Sequence, residues 1–252
     1  MSGDAPGPGR VIDVHAHVWL NQLEPCRREL IESVDAVPLE RLYVSGIEEA
    51  TPDEETVVAL NDAVHGLMKD CPRVRGQVYL NPRHGEWALD ELSRCADLGF
   101  TCVKLWVATL ADDPRRFPIY EAAIERGLPV LVHAWDKAVG QGADESKPWH
   151  VAAAARRYPE CAFVMAHVGG DFISGAESVA AAGNVRVDIS GTYGEVGGVE
   201  YAVRRLGPER VLFGSDMPSS DVYHNLGKVA GAAVPPAVKA MILHGNAERL
   251  LR

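Results

Sequence analysis

The chain has 252 residues, 47% hydrophobic and 24% charged, with a formal net charge of -10. That is enough apolar material for one large or two small cores. The acidic balance excludes a broad nucleic-acid-binding face, which needs clustered Lys and Arg, while leaving room for a small anionic substrate. No apolar run is long enough to span a bilayer. The Gly- and Pro-rich segment Met1 to Gly9 lacks the apolar stretch of a signal peptide. Residues 1–10 read as a disordered tail and the protein as cytoplasmic. Cys26, Cys71, Cys95, Cys102 and Cys161 form no Cys-x-x-Cys pair, which suits reduced, buried thiols.

Val11 to His17 is an apolar, β-branched run and predicts a buried strand. Alternate residues of a strand share a face, so His15 and His17 project together as a pair of potential metal ligands. A helix follows over Glu24 to Val34 and a strand over Arg41 to Gly46. Thr51-Pro52-Asp53-Glu54 predicts a helix start with Thr51 as N-cap and Pro52 in the first helical position, running to about Lys69. The pattern continues with a strand over Val74 to Leu80, a helix over Glu86 to Leu98 closed by Gly99, and a strand over Phe100 to Val107. Pro118 to Arg126 is a helix closed by Gly127, and Leu128 to His133 a strand. Then come helix Pro148 to Tyr158, strand Ala162 to His167, and helix Asp171 to Ala182 closed by Gly183. Strand Val185 to Ser190, helix Glu195 to Leu206, strand Arg210 to Gly214 and helix Pro235 to Leu251 complete the chain.

Alternation without a composition break predicts one domain over residues 11–252. Eight short strands in such a length match a (β/α)8 TIM barrel. An open doubly wound sheet is the other candidate, weakened because no Gly-x-Gly-x-x-Gly follows an early strand. In a barrel the chemistry lies at the C-terminal strand ends. There the sequence places His17, Lys104, His133 and His167, with Asp216 just past the eighth strand. From His17 to Asp216 the strand ends recur about every 28 residues, the length of one strand-helix unit. Polar groups ending buried strands are costly unless paired or ligated.

Asp13-Val14-His15-Ala16-His17, Leu128 to Ala134, Met165-Ala166-His167-Val168-Gly169-Gly170 and Phe213-Gly214-Ser215-Asp216-Met217-Pro218 together resemble the amidohydrolase superfamily. The likeness is to its amidohydrolase-related branch of decarboxylases, lactonases and other hydrolases. His244 to Leu250 resembles that branch's C-terminal ending. The resemblance implies a distorted metallo-dependent barrel. His15, His17 and His133 would be ligands, Asp216 a further ligand or general base, and His167 a holder of water or substrate. Three imidazoles and a carboxylate suit zinc, with manganese, iron or cobalt also fitting. A coordinated water would have its pKa lowered toward about 7. Asp216 could take its proton and His167 could steady the developing oxyanion. Lys104 is read three ways: carboxylated and bridging two metals with His167 on the second, paired with a substrate carboxylate, or reaching solvent at the rim. Members of the branch often form dimers, so a homodimer is an expectation of the resemblance.

Trp19, Trp106 and Trp135 each lie two residues beyond a strand-end site residue. Shared parity predicts an aromatic mouth over the metal that favours a planar substrate; packing of loops against the rim is the alternative. Arg83 and Tyr193, in loops after strands three and seven, are candidate substrate contacts. His84 and His224 lie in loops that open at the same mouth, whereas His65, His150 and His244 sit on helices. The expected activity is metal-dependent hydrolysis of a small ester, lactone or amide. The alternative is non-oxidative decarboxylation of an unsaturated or aromatic acid at the same ligands, against which the shortness of the chain weighs. A metal-free binding barrel is the third reading.

Overall fold

Short aliphatic runs form the wall of the molecule, because each is buried on both sides and has only parallel neighbours to satisfy its backbone. The computed structural model describes residues 10–191 and 196–251. Residues 1–9, where the sequence predicts a disordered tail, lie outside the described residues, as do Tyr193 and Glu195. The strands are β1 (Val11–Val18), β2 (Leu39–Gly46), β3 (Val74–Tyr79), β4 (Cys102–Leu105), β5 (Val130–Val132), β6 (Phe163–Met165), β7 (Val185–Asp188) and β8 (Val211–Leu212). They pair in sequence order, β1 through β8, and every pairing is parallel. The seam closes beyond β8. Val14 N donates to Phe213 O (3.1 Å), Asp216 N to His15 O (2.7 Å) and His17 N to Met217 O (2.7 Å). This is a distorted (β/α)8 barrel, and sequential order with closure excludes the doubly wound sheet.

The helices are α1 (Leu23–Ala36), α2 (Glu54–Asp70), α3 (Glu86–Asp97), α4 (Phe117–Arg126), α5 (Pro148–Arg157), α6 (Phe172–Val179), α7 (Gly198–Leu206), α8 (Val222–Gly231), α9 (Pro236–Ala240) and α10 (Asn246–Leu250). Their apolar faces pack on the outside of the strands, where Leu30, Leu67, Leu92, Ile119, Val151 and Val229 meet Val44, Val103, Val130 and Phe163. A second, inner layer of Ile12, Val14, Tyr43, Cys102, Leu131, Val164 and Leu212 fills the barrel floor, joined by Ala247 and Leu251 from the C-terminal segment. Among the described residues no helix is long and apolar enough to cross a membrane. All five cysteines are free and buried.

Several local expectations are corrected. Asp53, not Thr51, caps α2: its carboxylate accepts from Thr56 N, and Glu54 and Glu55 fill the first turn. α6 ends at Val179, before Gly183. β6 and β8 stop short of His167 and Gly214, because the polar residues that follow turn into the site. Helix α8 is absent from the sequence reading, although Asp221 caps it by accepting from Tyr223 N and His224 N. Asn225 interrupts its buried stripe and two glycines lower its helical preference. The single helix expected over Pro235 to Leu251 is α9 and α10 joined by a π-turn at Met241–Gly245.

One irregularity aims the site. The β1–β2 register slips between Asp13 and Ala16, so Val14 joins the floor layer while His15 and His17 stand in the layer above.

Candidate metal centre

His15 and His17 are buried in β1, and each ring has its Nδ1 engaged. His15 Nδ1 lies 3.0 Å from Asp188 Oδ2 and 3.0 Å from Ser190 Oγ. His17 Nδ1 lies 2.9 Å from Ser45 Oγ. With both Nδ1 atoms held, the two Nε2 atoms converge to 3.0 Å. Asp216 Oδ1 completes the group, 3.2 Å from His17 Nε2 and 3.5 Å from His15 Nε2. Donors about 2.1 Å from one ion would show such separations at roughly 90–115° apart. The donor set and spacing therefore fit a divalent metal. The Asp188 carboxylate, which can only accept, fixes the His15 tautomer for that role.

The electrostatics agree. Burial, with the Lys104 charge nearby, pushes His15 down to about 3 and lowers His17. Both rings are thus neutral and able to donate a lone pair at neutral pH. Burial works to raise Asp216, but its contact with His17 and the neighbouring imidazoles hold it below the ordinary carboxylate range.

A second triad shares His15. His167 and Asp188 offer ligand atoms within 4.8 Å of one another and of His15. His167 lies past β6 in a turn where it and Val168 adopt φ of 59° and 47°; Asp216 has φ 61°. Such left-handed backbone at non-glycine residues costs about 1–3 kcal/mol each and gathers at functional sites. The turn is wedged by α6, since a Cβ on Gly175 would come 1.7 Å from Val168 O. His167 Nδ1 lies 2.9 Å from Ser190 Oγ. Asp188 Oδ1 accepts from His167 N and Ser190 N, each at 3.0 Å. One buried carboxylate therefore organises β1, β6 and β7.

Lys104 is 1% exposed, with Nζ 2.7 Å from His15 Nε2. Burial lowers its ammonium to about 8. It points into the cluster, so the rim-and-solvent reading is corrected: β4 parity places it in the lumen. His133 stands one ring further out. Its centroid is 5.3 Å from His167, it belongs to neither triad, and its Nε2 meets Glu145 Oε1 at 3.0 Å. Glu145 is held in turn by Lys137 Nζ at 2.7 Å. That leaves His133 Nδ1 as its available donor.

The tryptophans separate. Trp135 lies beside His167, centroids 4.9 Å apart, and beside His133 at 6.2 Å. Trp19 and Trp106 pack instead on the Ile47, Val57, Leu60 and Tyr79 cluster, under the loops after β1 and β4. Arg83 ties loops together, donating to Ala108 O and Asp144 Oδ2 at 2.8 Å each. His84 bonds Pro52 O at 2.9 Å, and His224 lines a cleft beside the cluster. Asp188, Ser190, Ser45 and Glu145 are the residues sequence reasoning missed. Asp188 and Ser190 carry the same signal as the others, alternate polar residues ending an apolar strand; Glu145 lies in a loop with no such mark.

The family described as Amidohydrolase matches residues 12–252. No curated protein matches the chain. Among solved structures, 2,6-dihydroxybenzoate decarboxylase from Rhizobium is similar at TM-score 0.77 and 16% identity, covering 97% of this chain and 98% of that one. 5-Carboxyvanillate decarboxylase from Sphingomonas paucimobilis gives 0.74 and 19%, covering 96% and 99%. A dihydroxybenzoic acid decarboxylase from a Polaromonas species, with bound manganese and the inhibitor 2-nitroresorcinol, gives 0.75 and 17%, covering 97% of each chain. At these identities the likeness concerns the fold.

Proposed function

The chain belongs to the amidohydrolase family, and from that premise we propose a metal-dependent lyase that removes the carboxylate of a small unsaturated or aromatic acid. The observation that carries this reading is Lys104. A buried ammonium stands in the cluster, and its hydrogen bond among the described residues goes to an imidazole, His15. Asp216 and Asp188 act on that charge without a hydrogen bond to it, and a substrate carboxylate would give it a direct ion pair. The decarboxylase structures, matched over 97–99% of their own length, lend further support. The shortness of the chain therefore does not weigh against decarboxylation.

In this reading His15, His17 and Asp216 hold a zinc or manganese ion, with His133 Nδ1 as a further donor. Bound there, the ion supplies Lewis acidity toward a substrate oxygen. Lys104 holds the carboxylate, and Trp135 covers the site against water. His167, its Nδ1 tied to Ser190, relays a solvent proton through Nε2 to the carbon bearing the carboxylate. The carbon–carbon bond then breaks, its electron pair returns to the ring or alkene, and carbon dioxide leaves. Hydrolysis of an ester, lactone or amide is the second reading. It is favoured by the ionised carboxylate of Asp216, placed to accept a proton from water.

The test is direct. Protein reconstituted with manganese or zinc is offered benzoic and unsaturated acids while carbon dioxide is measured, and lactones and esters while acid release is measured. Carbon dioxide without acid release supports the lyase; acid release alone reverses the order.

A further inference from the structure

A cleft of about 530 Å³ opens beside the cluster, between α6, the start of α7, and α8. Its size suits a small-molecule site. Trp135, His167 and Ser190 form the wall nearest the ligands, and Phe172, Gly227 and Gly231 line the far side. Ser190 Oγ is 3.0 Å from His15 Nδ1, so an occupant of the cleft stands one side chain from the candidate metal ligands.

The far wall has an unusual cause. Gly227 and Gly231 are four residues apart in α8 and therefore share a face. Glycine inside a helix is unfavourable relative to alanine. Neither residue has the positive φ that would require glycine, and a Cβ at either would meet nothing within 4 Å. Gly231 ends α8, but Gly227 lies inside it, where neither backbone geometry nor helix packing requires a glycine. Both are exposed and line the open side of the cleft, where a side chain would enter it. Val168, Ile189 and Val199 with the Trp135 indole give the cleft an apolar side, and Glu200, His224 and Lys228 give it a polar one.

We propose that this cleft is the subsite for a ring-sized apolar body of the substrate, and that Gly227 sets its size by having no side chain. This rests on the acid-substrate reading above: the carboxylate lies at Lys104 and the ring extends over the β6–β8 side of the barrel, against Trp135. The class implied is a monocyclic aromatic or cyclic unsaturated acid rather than an extended chain.

The experiment compares wild type with Gly227→Ala and Gly227→Leu. Binding of benzoate, acetate and neutral benzyl alcohol is measured by calorimetry with manganese and again with chelator, alongside thermal melting. Gly227→Leu should weaken benzoate and benzyl alcohol at least 10-fold and leave acetate within twofold. Gly227→Ala should melt at or above the wild-type temperature and bind all three within threefold. Loss of benzyl alcohol binding in the leucine variant under chelator supports the subsite even if no acid is ever decarboxylated. A folded Gly227→Leu that binds benzoate and benzyl alcohol like wild type overturns the proposal, even where wild type releases carbon dioxide. Wild type that binds neither ring compound also overturns it.

Discussion

Replacing Asp188 with asparagine changes a hydrogen-bond pattern without changing shape. The carboxylate is fully buried; Oδ2 faces His15 Nδ1, and Oδ1 accepts from His167 N and Ser190 N. An asparagine keeps those two backbone bonds only by placing its oxygen on the Oδ1 side. Its NH2 then faces His15 Nδ1 and forces the imidazole proton onto Nε2, the atom 3.0 Å from His17 Nε2 and 3.5 Å from Asp216. A protonated Nε2 has no lone pair for a metal. Loss of such an orienting partner costs about 10–100-fold in metal affinity, or about 1.4–2.8 kcal/mol. The assay is chelator competition for zinc and manganese, read beside the thermal melt of the metal-free protein. Asp188→Asn should bind metal at least tenfold more weakly while the metal-free fold stays cooperative. A variant with wild-type metal affinity would refute the tautomer argument and the triad with it.

Three further outcomes follow from the packing. Gly175→Ala drives a methyl to 1.7 Å from Val168 O, so the turn holding His167 must move; a loss of more than about 2 kcal/mol in urea unfolding is expected. Glu145→Ala frees His133 Nε2 and Lys137; metal affinity should fall, and hydrogen exchange in the loop over residues 136–146 should rise while that of the strands is unchanged. Glu91, buried, accepts from Arg94 at 2.7 and 2.8 Å and from Asn61 at 2.8 Å. Burial opposes these contacts, yet they hold its carboxyl below the ordinary value. Its stabilisation is thus complete above the unfolded-state pKa and lost as pH falls through the lowered folded value. Glu91→Gln should cost about 2–3 kcal/mol at neutral pH, and the gap to wild type should shrink in acid melts.

The barrel was legible because each strand is a short apolar run with a polar residue at one end, and because period-two parity survives in β1 and β4. His15, His17 and Lys104 meet for that reason, while Asp216 is brought in past β8 by its N–H bond to His15 O. Asp188 was readable by the same parity and was overlooked because an acidic strand end reads as a turn. The sorting of Trp19 and Trp106 away from Trp135 was not readable: the strands end before these residues, so parity no longer governs the loops. Glu145 reaches His133 across a loop whose path no local pattern encodes. Helix α8 escaped because its buried stripe contains Asn225 and its cleft face carries two glycines. The feature that hid the helix is the one the proposed substrate ring requires.

The π-turn at Met241–Gly245 has a consequence for how the chain is made. The Ile242 carbonyl accepts from Phe213 N at 3.0 Å, and Asn246 Nδ2 bonds Pro208 O and Val211 O at 2.7 and 2.8 Å. β8 has only two residues, so these bonds from residues 242 and 246 reinforce its short pairing with β7 and the bond from Val14 N to Phe213 O. During synthesis from the N-terminus, β1 through β7 leave the ribosome long before that support exists. Asp216 lies four residues past β8, and its N–H bond to His15 O at 2.7 Å joins it to β1. A nascent chain therefore carries His15 and His17 side by side for most of its emergence without the carboxylate that completes them. The three candidate ligands therefore come together only when the first and last strands of the barrel meet, at the seam where Asp216 N bonds His15 O and His17 N bonds Met217 O.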